Sequence, residues 1–108
     1  MQQSVVAWCV IALLACAGSA RAQDAKQGRE KAQACAVCHG VLGLSTQPDA
    51  PNLAGQPALY TSMQLRAYRS GERRHEVMGV MAKVLSDDDI SNLAAWFASL
   101  QIDVQAPR

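Results

Sequence analysis

Cysteine is scarce in the part of this 108-residue chain that is expected to fold. Two of the four cysteines, Cys9 and Cys16, fall in an N-terminal segment that we expect to be removed. The other two, Cys35 and Cys38, lie within one short motif. No further pair remains for a structural disulfide, which excludes a small secreted scaffold held together by several disulfides.

An excess of positive charge is also missing. The whole chain holds ten Lys and Arg against nine Asp and Glu. Residues 23–108 lose only Arg21, so they keep nine basic residues (ten less one) and all nine acidic ones. A surface that binds nucleic acid needs clustered positive charge. We therefore expect no nucleic acid among the partners.

No apolar run is long enough to span a bilayer, which takes about 20 residues. The apolar stretch 5–17 is followed by Ala20-Arg21-Ala22, an A-x-A cleavage signal. This pattern predicts a secretory signal peptide over 1–22, cleaved after Ala22, and a single domain over 23–108 in the periplasm without stable membrane insertion. Two alternatives stay open, because the run before Cys16 loosely resembles a lipoprotein signal and the segment can also remain as an uncleaved anchor.

What the chain does contain is the run Cys35–His39, which reads C-A-V-C-H. C-x-x-C-H is the attachment signature of a c-type haem. Residues three apart share one face of a helix, so both sulfurs can reach the two vinyl groups of one porphyrin while His39 faces the iron. A zinc site would want four ligands, and only His75 could be added. A thioredoxin-like dithiol would need a βαβ pattern, and the sequence shows no strands.

Three helices are predicted, with irregular stretches at 40–56 and 72–85 between them. The first runs from the N-cap Asp24 through 25–34 into the haem motif. The second begins near Pro57, which suits a first helical turn, and ends at Gly71. The third opens at the N-cap Ser86 and has three acids in its first turn. Its apolar stripe consists of Ile90, Leu93, Ala94, Phe97 and Leu100.

Two positions in these helices allow a structural prediction. Gly28 costs about 1 kcal/mol inside a helix, so it is either a tolerated surface glycine or the point of a close helix–helix contact. Met63 belongs to an apolar stripe of the middle helix and is expected to fill the core rather than to bind a metal. The members of that stripe are Leu59, Tyr60, Met63 and Ala67.

Taken in order, the motifs resemble those of class I cytochromes c, especially the bacterial cytochrome c4/c553-like group and the small haem subunits of periplasmic dehydrogenases. They are C-A-V-C-H-G at 35–40, P-N-L-A-G-Q at 51–56, G-E-R at 71–73, a methionine-bearing loop, and L-S-D-D-D-I at 85–90. The resemblance covers essentially all of 23–108. It implies an all-α fold wrapped around one haem c that is covalently bound through Cys35 and Cys38.

The same resemblance implies the residues around the iron. His39 is the proximal ligand, and the backbone carbonyl of Pro51 accepts a hydrogen bond from its Nδ1. The distal ligand is a methionine seven residues before the leucine of the L-S-D run, which is Met78 here. Met81, three residues further on, and His75 remain alternatives. For His75 we favour the simpler interpretation of an exposed loop residue.

Packing around the haem is implied as well. Gly28 is expected to pack against Trp96 or Phe97 of the last helix. The aromatic residue often found just before the motif is absent, because Ala32 and Ala34 stand there. The apolar pocket is expected to consist of Leu53, Leu59, Met63, Ile90, Leu93 and Phe97.

An iron closed on both faces by His and Met has no open site for a substrate, so the resemblance implies an electron carrier and not an enzyme. We expect a periplasmic one-electron carrier whose partners are redox proteins such as an oxidase, a reductase or a dehydrogenase. An electron-accepting subunit of a dehydrogenase complex is the alternative, and a haem sensor follows only if Met78 is not bound. Partners would dock briefly at an exposed haem edge, helped by a basic patch of Arg66, Arg69, Arg73 and Arg74.

Overall fold

The computed structural model describes residues 23–108, and over that range its regular elements are all helices. They are α1 (Ala25–Lys31), a 3-10 turn (Ala32–Cys35), α2 (Ala36–His39), α3 (Ala58–Ser70), α4 (Glu76–Lys83) and α5 (Asp87–Ser99). The predicted all-α fold is confirmed. The predicted signal peptide over 1–22, with its cleavage site and the lipidation alternative, lies outside the described residues. Within 23–108, no helix has the length and apolar character needed to cross a membrane.

The first helical stretch begins at the predicted N-cap. Asp24 accepts hydrogen bonds from the backbone N–H groups of Lys26 and Gln27 at 2.9 and 3.1 Å. Its own backbone N–H donates to Asn92 of α5 at 2.8 Å, which joins the start of α1 to the last helix. From there α1, the 3-10 turn and α2 follow one another without a break. This arrangement places the C-x-x-C-H run at the end of the stretch.

Gly28 is a point of close contact between α1 and α5. A Cβ built on it would lie 1.9 Å from the backbone oxygen of Asn92 and 2.9 Å from Cβ of Trp96. The close-contact interpretation of this glycine is therefore right, and the aromatic beside it is Trp96. Phe97 lies elsewhere, with its ring 3.0 Å from a Cβ built on Gly43.

The last helix provides most of the protein core. Its capping box is complete, because Ser86 Oγ accepts from the Asp89 N–H and Asp89 accepts from the Ser86 N–H, both at 3.0 Å. Four members of the predicted stripe are buried and Leu100 is partly buried. The buried ones are Ile90, Leu93, Ala94 and Phe97.

The prediction that 72–85 is irregular is wrong, because 76–83 form α4. His75 caps this helix by accepting a hydrogen bond at Nδ1 from the Met78 N–H at 3.2 Å. Histidine is not among the favoured N-cap residues, and a glycine with two valines gives weak helix propensity, so local signals were poor. The helix forms where Ala82 is fully buried and α4 packs against α3.

Helix α3 ends at Gly71 as predicted, with that residue at φ +84°, while Pro57 occupies the N-cap rather than the first turn. Its buried side chains are Thr61 and Ser62, and the Ser62 hydroxyl donates a hydrogen bond to the Leu59 carbonyl at 2.9 Å. The apolar stripe is not the packed face. Met63 is 55% exposed, so the described side chains do not bury it, and its place in the apolar pocket around the haem stays a prediction.

Candidate haem-binding site

The C-x-x-C-H run is helical throughout. Cys35 ends the 3-10 turn, and Cys38 and His39 form the last turn of α2. Both cysteines are partly buried, and burial raises the pKa of the Cys35 thiol. Because helical residues three apart lie on one face, the two sulfurs belong to the same side of this stretch.

His39 is buried, with 8% of its surface exposed, and is oriented by one hydrogen bond. Its Nδ1 lies 2.8 Å from the backbone oxygen of Pro51. A carbonyl oxygen can only accept, so Nδ1 carries a proton, and in the neutral imidazole Nε2 then keeps its lone pair. This is the neutral tautomer that binds a metal, held as such ligands usually are by a partner on the other nitrogen. The hydrogen bond implied for Pro51 is therefore present.

The loop that supplies Pro51 is folded by its own polar groups. Ser45 Oγ donates to the Cys38 carbonyl at 2.9 Å, and the Ser45 N–H donates to Asn52 Oδ1 at 2.7 Å. The carbonyl oxygen of Gly43 accepts two backbone N–H groups that follow Asn52, at 2.7 and 3.0 Å. These bonds bring the loop back onto the haem motif. Sequence reasoning missed Ser45 because a lone serine in a loop gives no signal.

The predicted apolar pocket divides into two groups. Ile90, Leu93 and Phe97 are protein core, and Leu53 is partly buried against it. Leu59, in contrast, is 72% exposed, and Tyr60 and Met63 are 49% and 55% exposed. Helix α3 thus presents apolar surface that no part of residues 23–108 covers. A porphyrin is a large apolar group. Packing it against this face of α3 would remove the apolar surface of both from water, so the residues present fit a haem.

Both candidate methionines lie on α4, three residues apart, and so share a face of the helix. Met78 is partly buried, whereas Met81 is 36% exposed. The spacing before the L-S-D run remains the reason to prefer Met78. His75 is exposed, and its Nδ1 is used to cap α4.

Two of the four arginines expected to form a basic patch are already engaged. Arg69 pairs with Asp87 at 2.6 Å, and this contact lowers the pKa of the Asp87 carboxyl. Arg73 donates to Gln64 at 2.6 Å, and its guanidinium lies 4.6 Å from the ring centroid of Tyr68. The charge of Arg69 is thus partly neutralised by Asp87, and Arg73 is held in place by Gln64 and Tyr68.

Comparisons with known proteins agree with this geometry. A family model described as cytochrome c matches residues 25–101. The chain is 42% identical over 81 residues to cytochrome c-554(548) of Halomonas halodenitrificans, covering 72% of this chain and 98% of that protein. It is 39% identical over 69 residues to a thiosulfate dehydrogenase electron acceptor of Stutzerimonas stutzeri, covering 61% of this chain and 32% of that protein.

A solved structure resembles the fold as well. The crystal structure of reduced recombinant cytochrome c4 from Pseudomonas stutzeri gives a TM-score of 0.70 at 37% identity. The alignment covers 74% of this chain and 47% of that one, so this chain spans about half of that structure.

An all-helical domain with a buried histidine beside two thiols, matched by that family model over most of its length, belongs to the cytochrome c family. Within it the chain is a class I cytochrome of the c4 group, and its cofactor is covalently attached haem c. Its function is electron transfer with redox partner proteins. The resemblance stated from the motifs is confirmed.

Proposed function

We propose that this chain is a periplasmic one-electron carrier with a single haem c, and that it is not an enzyme. Cys35 and Cys38 would attach the haem, and His39 and Met78 would bind its iron. The observation that carries the proposal is the buried His39, whose Nδ1 is bound to Pro51 so that Nε2 is available to iron. One C-x-x-C-H run supports one haem, and the leader pattern at 1–22 supports export.

Each residue has a distinct part in this function. The haem, when bound, supplies an iron that gains or loses one electron. The Pro51 carbonyl holds the His39 ring and raises its basicity as a ligand. The Met78 thioether favours the reduced iron and raises the reduction potential relative to a second histidine. With both His39 and Met78 bound, the iron would have no position left for a substrate.

The distal ligand can be tested by optical spectroscopy of the haem-loaded protein. We expect the oxidised protein to show the charge-transfer band of methionine bound to iron, and Met78→Ala to lose it. Met81→Ala is the matched control, one helical turn away on α4, and should keep the band. Loss of the band in the control alone would move the ligand to Met81. Its absence in the unaltered protein would reject His/Met ligation and favour an open distal site.

A second candidate function is that of an electron-accepting subunit in a dehydrogenase complex. The similarity to a protein named as the electron acceptor of a thiosulfate dehydrogenase favours it. Purification from native periplasm separates the two functions. A stoichiometric dehydrogenase bound to the cytochrome would support the subunit, and a cytochrome that purifies alone would support the free carrier.

A further inference from the structure

The outer face of α4 and its C-cap carry two valines, Val80 and Val84, that the described residues leave exposed. Val80 and Val84 each lie two residues from the buried Ala82, which is about 200° around a helix. They therefore point away from the core and are 69% and 80% exposed. Met78 is also two residues from Val80, so an iron bound by Met78 would lie on the opposite side of the helix from Val80.

A groove of about 840 Å³ runs along this face, between α4 and the end of α3. Its basic lining residues are Arg69, Arg73, Arg74 and Lys83, and its acidic one is Glu76. Arg69 is paired with an acid of α5, which leaves three basic side chains against one carboxylate. Residues 23–108 are neutral overall, with nine charges of each sign. The positive charge of the groove therefore results from how the fold places these side chains.

Part of this charge is already fixed in position. The Arg73 guanidinium lies over Tyr68 and donates to Gln64. The Tyr68 ring in turn meets the His75 ring edge-on, with centroids 6.4 Å apart. A side chain that is ordered before binding loses less conformational entropy when a partner arrives. Arg73, at the rim of the groove, is therefore already ordered before a partner binds.

We propose that this groove, with the valine face of α4, docks a partner protein that presents acidic side chains around an apolar patch. The inference rests on the proposed carrier function and names the chemistry of its partner. An apolar centre inside a charged rim is the usual anatomy of a protein interface, and opposite charge accelerates encounter. Docking here leaves Met78 undisturbed, about one helix diameter (~10 Å) away from the partner.

The test uses the haem-loaded protein and, as the probe, a helical peptide with leucines on one face bordered by glutamates. We expect the peptide to shift the amide NMR signals of α4, and a peptide with lysines in place of glutamates to leave them unchanged. The double variant Val80→Ser/Val84→Ser should weaken binding about tenfold, because it removes two apolar contacts. Val104→Ser is the matched control, since Val104 is 82% exposed in the tail outside the groove.

The charges are tested separately. Arg74→Gln/Lys83→Gln should weaken peptide binding and flatten its dependence on salt, since screening acts on the charges removed. Lys26→Gln on α1 is the control and should change neither. Equal effects of groove and control variants in both comparisons would overturn the proposal.

Other occupants would give other results. Phosphatidylglycerol vesicles bound through the same side chains, without peptide binding, would assign the groove to a membrane surface. Self-association in sedimentation that disappears in Val80→Ser/Val84→Ser would assign it to a second copy. Either result overturns the proposal. Oxidation of the reduced protein by hexacyanoferrate and the methionine–iron band report the carrier function independently, so its failure is distinguishable from a failure of the groove.

Discussion

His39 is placed by two separate parts of the chain. The end of α2 fixes where the residue lies, and the loop carbonyl of Pro51 fixes how its ring is turned. Ser45 connects the two, because its hydroxyl donates to the Cys38 carbonyl next to the histidine. A histidine held in this way would not have to reorganise when an iron bound to it changes its charge.

Gly28 allows a sharp prediction at the same scale. Gly28→Ala should destabilise the haem-loaded protein by about 1–3 kcal/mol, because the new methyl group would overlap the backbone of α5 at Asn92. This loss is expected although alanine is the better helix former by about 1 kcal/mol. Denaturant unfolding followed by circular dichroism measures the difference.

The matched control is Gly79→Ala on α4, where an added Cβ meets nothing within 4 Å. That variant should gain up to about 1 kcal/mol from helix propensity alone. Equal shifts of the two unfolding midpoints would show that the contact between α1 and α5 does not limit the residue at position 28.

Among the helices, α4 carries the proposed ligand Met78 but is held to the rest of the protein by few buried contacts. Ala82 is its single buried residue. Its junction with α5 is held by Arg69, whose guanidinium donates to the Leu85 carbonyl at 3.0 Å and to Asp87. The ion pair with Asp87 is solvent-exposed and adds little. The charged hydrogen bond to the carbonyl is partly buried and is the stronger contribution.

We therefore expect Arg69→Gln to loosen α4 by about 1 kcal/mol and to release Met78 from iron before the rest of the protein unfolds. The methionine–iron band should disappear at a lower guanidinium concentration than in the unaltered protein, while the haem stays covalently attached. Arg66→Gln, which like Arg69 lies on α3, should leave unchanged the guanidinium concentration at which the band disappears. If both variants lose the band together with the helical signal, Arg69 does not hold the ligand separately.

At the scale of the whole molecule, the alignment to the cytochrome c4 structure covers 47% of that chain, so the described domain corresponds to about half of it. Its core is small, consisting mainly of the buried stripe of α5 and Ala32. Small domains bury a low fraction of their surface and gain stability from a bound group. A haem on the exposed apolar face of α3 would add that surface.

Intact mass spectrometry of the protein purified from the periplasm tests the molecule as a whole. We expect the mass of residues 23–108 plus one haem, because the predicted leader ends at Ala22 and the sequence holds one C-x-x-C-H run. A lipid-modified chain beginning at Cys16 would contradict the predicted cleavage. A polypeptide without haem and with both thiols free would contradict the proposed function.

By itself, the sequence determined the features that depend on neighbouring residues. The spacing of Cys35, Cys38 and His39 defined the haem motif, and the caps Asp24 and Ser86 defined two helix starts, because these signals act within one or two turns. The stripe of α5 was predictable for the same reason, since its burial follows from helical periodicity.

Only the tertiary structure decided the features that depend on distant contacts. Helix α4 has weak local signals and forms where Ala82 packs against α3. Gly28 is a point of helix–helix contact rather than a surface glycine because it packs against Asn92, 64 positions later in the chain (92 less 28). The exposure of Met63 and the positive groove beside α4 likewise arise from which faces the helices turn toward one another. Packing between distant segments sets those faces, and no local pattern encodes it.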